Sequence, residues 1–327
     1  MSPRSFSRRE ALITSIVAGL AVASGRPRRL LSARQSLTPV NFQVPARACD
    51  CHVHIFGDTA RFPFSPARTY TPPPALVPDL LARHRLLHMD RVVVVQPSVY
   101  GTDNSCTLDA LRQLGARARG VAVIATDTSE AVLDAMHRQG VRGIRINLGT
   151  AGVTDPEVAR QRLRDAIARV KNRRWHIQMF TQLSVVEALR AELEASPVPI
   201  VFDHFAQAQG GLGVQQPGFA TLVNLVRTGK AFVKISAPYL CSTKAPDYED
   251  MQTLARALVD ANPMQILWGS NWPHPDSTPV AGRAATDIAA PLAIDEGHIL
   301  NLLPAWIPDA NRRQTVLVDN PAKLYEF

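Results

Sequence analysis

A regular alternation of short β-branched segments with segments of helical character constrains the fold most strongly. Eight strands are predicted, at 47–54, 91–98, 119–126, 141–147, 175–180, 198–205, 230–236 and 265–270. Helices are predicted between them at 77–89, 105–117, 129–139, 155–172, 184–195, 217–229 and 247–262. Strands that alternate with helices form parallel sheets. Eight such units predict an α/β fold, a (β/α)8 TIM barrel that forms a single domain over 45–327.

A doubly wound sheet is the competing architecture. It would normally carry a glycine-rich phosphate-binding turn after its first strand. The loop that follows the first predicted strand, 55-IFGDTARFPFSP-66, has no G-x-G-x-x-G pattern. The barrel is therefore favoured. The loop at 55–75 is also long and rich in proline, and loops of this length usually have a function.

The basic character of the chain is concentrated at its N-terminus. The formal net charge is +8, but residues 1–40 hold seven arginines and a single acid, Glu10, and so account for six of those charges. A nearly neutral remainder does not favour nucleic-acid binding. A small-molecule substrate is expected instead.

Residues 1–23 have the pattern of a secretory signal. The paired arginines Arg8 and Arg9 precede the apolar run 11-ALITSIVAGLAVAS-24, which contains the small-x-small sequence Ala21-Val22-Ala23. This pattern predicts a twin-arginine-type signal, recognition by the twin-arginine export machinery and a periplasmic or exported protein. Residues 24–44 are predicted to be a flexible leader. A short basic amphipathic helix is the alternative for the N-terminus.

Two cysteines and two histidines alternate in 49-CDCHVH-54 and suggest a metal site. Side chains two residues apart share one face of a strand. Strand alternation therefore predicts that Asp50, His52 and His54 point into the barrel, whereas Cys49 and Cys51 point towards the helices. A Cys2His2 zinc site is excluded on this geometry. The four cysteines are too few for a disulfide framework and are expected to be buried free thiols.

Polar residues recur near the ends of several predicted strands, where the active sites of TIM barrels lie. They are His52, His54, Arg142, Arg145, His176, Asp203, His204, Ser270, Asn271 and His274. A single strand-end histidine is more often structural than catalytic. Their joint occurrence on several strands favours a site at the mouth of the barrel.

Six segments together resemble those of a known family. They are 50-DCHVHIFG-57, 61-RFPFSPARTYTP-72, 141-VRGIRIN-147, 201-VFDHF-205, 268-WGSNWPHP-275 and 319-DNPAKLYEF-327. In this order they resemble the amidohydrolase superfamily, and within it the amidohydrolase-related hydrolases that include 2-pyrone-4,6-dicarboxylate lactonase. The resemblance covers about residues 47–327 and implies a TIM-barrel hydrolase.

The resemblance also bears on metal binding. Metal sites of the superfamily take histidines from strands one, five and six, a Lys or Glu from strand four and an Asp from strand eight. This chain offers His52, His54 and His204, with His176 as a further candidate. Its fourth strand offers only Arg142 and Arg145, which cannot bind a metal because they stay protonated. No metal is expected, and a mononuclear Zn2+ site on the first three histidines is the alternative.

The metal-independent lactonase branch implies a role for each matching residue. His52, His54 and His204 would polarise the lactone carbonyl and stabilise the oxyanion. The guanidinium groups of the strand-four arginines would clamp substrate carboxylates. Substrate contacts are thus expected from Tyr70, Arg142, Arg145, Tyr239 and His274.

This chain departs from the branch at three positions. The strand-eight Asp that activates water is replaced by Asn271, which cannot take a proton at neutral pH. His274, Asp276 and Asp203 are substitute bases, and Asn271 itself is expected to position a water. Phe180 replaces a substrate-binding tyrosine, and Tyr239 stands where the branch has an arginine. Fewer clamps predict a substrate less charged than a dicarboxylate.

Three functions are compatible with these residues. The first is metal-independent hydrolysis of a lactone or related cyclic ester that carries a carboxylate. The second is a mononuclear Zn2+-dependent amidohydrolase or decarboxylase. The third is a periplasmic ligand-binding relative without catalytic activity, for which Asn271 is the main argument.

Overall fold

The computed structural model describes residues 37–278 and 280–327. The predicted signal at 1–23 and the first part of the predicted leader lie outside the described residues. Residues 37–44 of that leader are packed against the domain: Thr38 donates to Asp295, Asn41 donates to Asn301, and Phe42 packs on the core. These residues of the predicted leader therefore contact the barrel domain.

Eight parallel strands form one sheet in sequence order, β1 to β8. They are β1 Cys49–Val53, β2 Arg91–Val95, β3 Ala118–Ala122, β4 Val141–Asn147, β5 His176–Phe180, β6 Ile200–Phe202, β7 Ala231–Lys234 and β8 Ile266–Leu267. The first and last strands meet, because the Cys51 amide donates to the Trp268 carbonyl at 3.0 Å and Val53 bridges Trp272. The predicted (β/α)8 barrel and its eight strands are confirmed.

Helices lie between the strands as predicted. They are α1 Val77–Leu87, α2 Ser105–Leu114, α3 Glu130–Arg138, α4 Pro156–Val170, α5 Leu183–Ala188, α6 Arg190–Glu194, α7 Phe219–Arg227 and α8 Met251–Ala261. The predicted helix 184–195 is divided at Leu189 into α5 and α6. Four C-terminal helices were not predicted: α9 Glu296–Leu300, α10 Leu303–Trp306, α11 Ala310–Gln314 and α12 Asn320–Tyr325. No helix among the described residues is long and apolar enough to cross a membrane.

The interior of the barrel is a separate apolar cluster below the mouth. Its members come from six strands and from α12: Cys49, Cys51, Val93, Val95, Val121, Val201, Phe232, Leu267, Leu324 and Tyr325. The alternate β2 residues Val92 and Val94 belong instead to the larger core shared with the helices. Cys49 and Cys51 therefore face the barrel interior. All four cysteines are buried and free, as expected.

An irregularity in β1 explains why the predicted facing of this strand was wrong. The register of β1 on β2 shifts between Asp50 and Val53, as at a β-bulge. Asp50 points outwards, where its carboxylate lies 3.3 Å from Nε2 of His84 on α1 and accepts the Ser270 amide at 2.9 Å. Because a bulge interrupts the alternation, Cys51 and His52 both face inwards. The exclusion of a Cys2His2 site rested on strict alternation along β1. Because β1 does not alternate strictly, that exclusion does not hold.

Candidate active site

The buried carboxylate of Asp203 organises the mouth of the barrel. It follows β6, and its Oδ2 accepts from Nε and Nη2 of Arg145 at 3.2 and 3.1 Å and from Nε2 of Gln178 at 3.0 Å. Its Oδ1 lies 3.3 Å from Nζ of Lys234 and 3.2 Å from Nδ1 of His52. Burial alone would raise the pKa of Asp203, but Lys234, His52 and Arg145 hold it well below its usual value. Asp203 is therefore ionised.

Lys234 is a fully buried lysine at the end of β7, and burial lowers its pKa. Its ammonium donates to Oε1 of Gln178 at 2.7 Å and to Nδ1 of His52 at 3.2 Å. An ammonium has donors only, and Oδ1 of Asp203, although 3.2 Å from the same nitrogen, forms no hydrogen bond, so Nδ1 of His52 is the acceptor for Lys234. The ring proton of neutral His52 then lies on Nε2, which is buried without a hydrogen-bond partner. His52 offers an N–H donor to the site.

His54 has the opposite arrangement of donor and acceptor. Its Nδ1 lies 2.8 Å from the carbonyl oxygen of Val95, which can only accept, so Nδ1 carries the proton. Burial, with a contribution from Arg145, lowers the pKa of His54 to about 3. The ring is therefore neutral near pH 7, and its Nε2 is an acceptor. The His52 and His54 rings lie 5.0 Å apart, centroid to centroid.

His204 lies on a strained turn at the end of β6. Residues 204–207 all have positive φ, from 50° to 59°, and none is a glycine. Such backbone is costly for L-residues and is concentrated at functional sites. The turn places the His204 ring 4.6 Å from that of His52, with Nδ1 2.8 Å from Oγ of Ser236. Burial lowers the pKa of His204 to about 3.

A second polar chain begins at Asn271, whose backbone amide donates to the His52 carbonyl at 2.8 Å. Nδ2 of Asn271 donates to the Tyr239 hydroxyl at 2.9 Å, and that hydroxyl lies 3.0 Å from Nδ1 of His274. Nε2 of His274 lies 3.1 Å from Oε1 of Glu296, a buried residue of α9. Because Nδ2 of Asn271 donates to Tyr239, Oδ1 is the atom of this side chain that can bind a water or a substrate hydroxyl.

Tyr70 joins the mouth from the long loop after β1. The side chain is buried, its hydroxyl is hydrogen-bonded to the side chain of Ser98, and it is close enough to Arg145 to feel that charge. Burial raises the pKa of Tyr70, so the phenol is protonated. The long loop therefore supplies a protonated hydroxyl that is bonded to Ser98 and lies within electrostatic range of Arg145.

Comparison with known proteins identifies the family. The family model described as Amidohydrolase matches residues 49–327. The chain belongs to the amidohydrolase family. The 4-sulfomuconolactone hydrolase of Hydrogenophaga intermedia is 31% identical, with 91% of this chain and 94% of that protein covered. The 2-pyrone-4,6-dicarboxylate hydrolase of Comamonas testosteroni is 32% identical, with coverages of 87% and 92%.

Solved structures agree with this fold. A crystal structure from Agrobacterium tumefaciens superimposes with a TM-score of 0.75 at 24% identity and covers 89% of this chain and 99% of that chain. An identity this low shows the fold alone. Membership of the amidohydrolase family confirms the resemblance that the sequence motifs indicated. It also confirms the prediction that the chain is a hydrolytic enzyme.

Two arginines predicted as one clamp lie at different levels of the barrel. Arg145 reaches Asp203 at the mouth. Arg142 instead lies near the start of β4, where it pairs with Glu326 at 2.9 Å and donates to the His137 carbonyl. The structure contradicts its placement at the mouth. Because Arg142 is engaged by Glu326 and the His137 carbonyl near the start of β4, it does not meet Arg145 at the mouth.

His176 also lies away from the mouth. It begins β5, and its ring packs at 84° against the ring of Tyr325 in the interior cluster, with centroids 5.2 Å apart. A side chain at Gly143 would bring a Cβ to 2.3 Å from the His176 ring, so this position of β4 has to be glycine. His176 therefore packs in the barrel interior and is not a candidate metal ligand.

Members of the amidohydrolase family often bind a metal. Among the described residues, His52, Asp203 and His204 have possible ligand atoms within 4.8 Å of one another. Asp203 thus takes the place expected for His54 in such a set. The Lys234 ammonium, however, lies within 3.3 Å of both His52 and Asp203. The group does not fit a divalent cation, because two cationic side chains already engage the carboxylate that would bind it.

Sequence reasoning missed Lys234, Gln178 and Glu296. Lys234 stands within the apolar strand 231-AFVKIS-236, where an isolated lysine is unusual because unpaired buried ammonium groups are costly. The sequence alone therefore marked Lys234 as a residue that needs a buried partner. Gln178 and Glu296 carried no comparable signal, because their partners come from other elements of the fold.

Proposed function

We propose that this chain hydrolyses an anionic lactone by direct attack of water on the ring carbonyl. The observation that carries the proposal is the pair His52 and His54, two neutral histidines 5.0 Å apart whose free nitrogens have opposite hydrogen-bonding capacity. One can donate to a carbonyl oxygen, and the other can accept from water.

His52 is the electrophilic partner in this proposal. Its Nε2–H would donate to the carbonyl oxygen and more strongly to the oxyanion that forms there. Lys234 holds the tautomer by donating to Nδ1. A single donor of this kind contributes about 3 kcal/mol to transition-state stabilisation.

His54 is the acceptor for the attacking water, which differs from the carbonyl-polarising role expected from the sequence. As the water oxygen bonds to the carbonyl carbon, its proton passes to Nε2 of His54. Collapse of the tetrahedral intermediate breaks the ring C–O bond, and that proton is available for the leaving oxygen. The product is the open hydroxy acid or its keto tautomer, depending on the ring. Oδ1 of Asn271, adjacent to His52, would orient the same water.

The charges at the mouth favour an anionic substrate. Around Asp203 the ionised groups are Asp203, Lys234 and Arg145, which sum to one positive charge with neutral histidines. A further buried carboxylate near the site, Glu296, is paired with Arg83 at 3.5 Å. Arg145 could hold a carboxylate or sulfonate, and Tyr70 lies within electrostatic range of its guanidinium. The curated relatives are named for a sulfonated muconolactone and a pyrone dicarboxylate, which supports this substrate class.

The proposal is tested by offering the purified protein 2-pyrone-4,6-dicarboxylate, 4-sulfomuconolactone and an uncharged γ-lactone. Proton release measures turnover, and hydrolysis in 18O-labelled water should place one label in the new carboxylate. The variants His52→Gln and His54→Gln should each lose at least about a hundredfold in kcat/KM. His88→Asn, which changes an exposed histidine at the end of α1, is the matched control and should retain full activity.

Ligand binding without turnover is a second candidate, favoured by Asn271. It would be supported if an anionic lactone bound tightly to the protein and was recovered intact. If His54→Gln hydrolyses the lactone as fast as the native chain, His54 is not the acceptor of the water proton.

We also propose that residues 1–23 direct export by the twin-arginine route. The support is the Arg8-Arg9 pair ahead of a short apolar run. Replacing both arginines by lysine should retain the protein in the cytoplasm of an expressing bacterium, as measured by cell fractionation. An unchanged periplasmic fraction would contradict the proposal.

A further inference from the structure

A cavity of about 350 Å3 extends from the mouth of the barrel towards α4. It exists because β3 and β4 separate. Their pairing ends at Ala122 and Ile144, whereas the pairing of β4 with β5 continues to Asn147 and Phe180. The last residues of β4 thus have no neighbouring strand on one side, and the space between the β3 loop and α4 stays open.

The cavity is continuous with the proposed catalytic site. Arg145, which donates to Asp203, and Ser98, which is bonded to Tyr70, both line it. A substrate whose anionic group lies beside Arg145 would therefore have this space directly next to it.

The walls nearest β4 are mainly aliphatic. They are formed by Val123, Ile124, Ala125, Ile144, Ile146 and Ala166. Three further charged residues line the cavity from α4. Arg169 donates to the Thr128 carbonyl, Asp165 accepts from Gln161, and Arg162 is exposed to solvent. An apolar group in this cavity would be removed from water without leaving those charges unpaired.

We propose that this cavity is a subsite for an apolar substituent of the substrate, so that the preferred substrate is an anionic lactone with an alkyl or aryl side chain. The inference rests on the proposed function for the identity of the reacting group. The space would hold about ten heavy atoms, at roughly 30 Å3 each. The six aliphatic walls and the adjacent Arg145 match an amphipathic ligand better than a second anionic group.

The test uses linear carboxylates as probes and measures binding, so that it does not depend on turnover. Acetate, butanoate, hexanoate and octanoate are titrated into the full chain by calorimetry. Burial of each methylene should tighten Kd by up to about fourfold until the cavity is filled. Hexanoate should therefore bind at least about tenfold more tightly than acetate. A Kd that does not depend on chain length overturns the inference.

Variants then locate the effect. Ala125→Phe, in the half-buried loop after β3, should weaken octanoate binding at least tenfold and leave acetate binding unchanged. Ala166→Phe, from the opposite wall, gives the same test if the first variant does not fold. Ala191→Phe on the exposed face of α6 is the control. Equal octanoate binding by a folded cavity variant and the native chain overturns the inference, whereas failure of lactone hydrolysis alone would not.

Discussion

The ammonium of Lys234 lies 3.2 Å from Nδ1 of His52 and 3.3 Å from Oδ1 of Asp203, and all three side chains are fully buried. A cation built into the chain thus engages the imidazole and the carboxylate that could otherwise hold a divalent metal. The same contact fixes the proton of His52 on Nε2. One lysine therefore accounts both for the poor fit of a metal and for a hydrogen-bond donor aimed at the substrate.

Replacing Lys234 by glutamine should reduce both activity and stability. The His52 tautomer would no longer be fixed, so kcat/KM on a confirmed lactone should fall about a hundredfold. Loss of one buried partner of Asp203 should lower the free energy of unfolding by about 3 kcal/mol, measured by urea denaturation. Lys244→Gln, at an exposed lysine 3.5 Å from Glu249, should change it by less than about 1 kcal/mol.

The proton positions of the two histidines can be observed directly. The 15N chemical shifts of the imidazole rings should show His52 as the Nε2–H tautomer and His54 as the Nδ1–H tautomer near neutral pH. His52 should lose this preference in Lys234→Gln. If both rings had the same tautomer in the native protein, the division into donor and acceptor would be wrong.

Removal of metal should leave hydrolysis unchanged. Because Lys234 and Arg145 already engage Asp203, the purified protein should contain far less than one equivalent of zinc. Dialysis against a strong chelator should not reduce kcat/KM, and added Zn2+ should not raise it. Stoichiometric zinc, together with activity lost on chelation and restored by Zn2+, would establish the mononuclear zinc enzyme instead, with ligands to be sought among His52, His54, Asp203 and His204.

The substitution Asn271→Asp tests whether the chain lacks a base at this position. In the native protein Nδ2 of Asn271 donates to the Tyr239 hydroxyl. An aspartate would offer only acceptors to a hydroxyl that also faces His274, so we expect kcat/KM to fall about tenfold. A gain in turnover would show instead that the chain lacks a general base at position 271.

The sequence predicted the architecture well because barrel strands and helices leave local periodic patterns. It placed all eight strands and gathered His52, His54, His204, Asn271 and Tyr70 at the mouth. It failed where geometry departs from ideal periodicity. The shift in β1 between Asp50 and Val53 reversed the expected facing of Cys51. No local pattern encodes such a bulge.

Hydrogen bonds between distant residues were also beyond the sequence. The roles of His52 and His54 depend on Lys234, which is 182 residues from His52, and on the Val95 carbonyl. Residue types alone show that two histidines are present, but only their partners decide which nitrogen donates. The assignment of His52 as the donor and His54 as the acceptor therefore required the three-dimensional contacts.

Stability should fall steeply as the pH is lowered from neutrality, because four buried histidines resist protonation: His52, His54, His176 and His204. In the folded protein burial lowers the pKa values of His54, His176 and His204 to about 3, against an ordinary value of 6.5. Between these values the unfolded chain binds more protons than the folded chain, so the free energy of unfolding rises with pH across this window. Each histidine should contribute roughly 1 kcal/mol per pH unit below about pH 6.

Urea denaturation at about pH 7, 6 and 5 measures the slope of the free energy of unfolding against pH. His176→Gln, inside the barrel and away from the proposed reaction, should reduce the slope by about a quarter, because it removes one of the four rings. A flat profile down to pH 5 would show that these rings titrate normally in the fold.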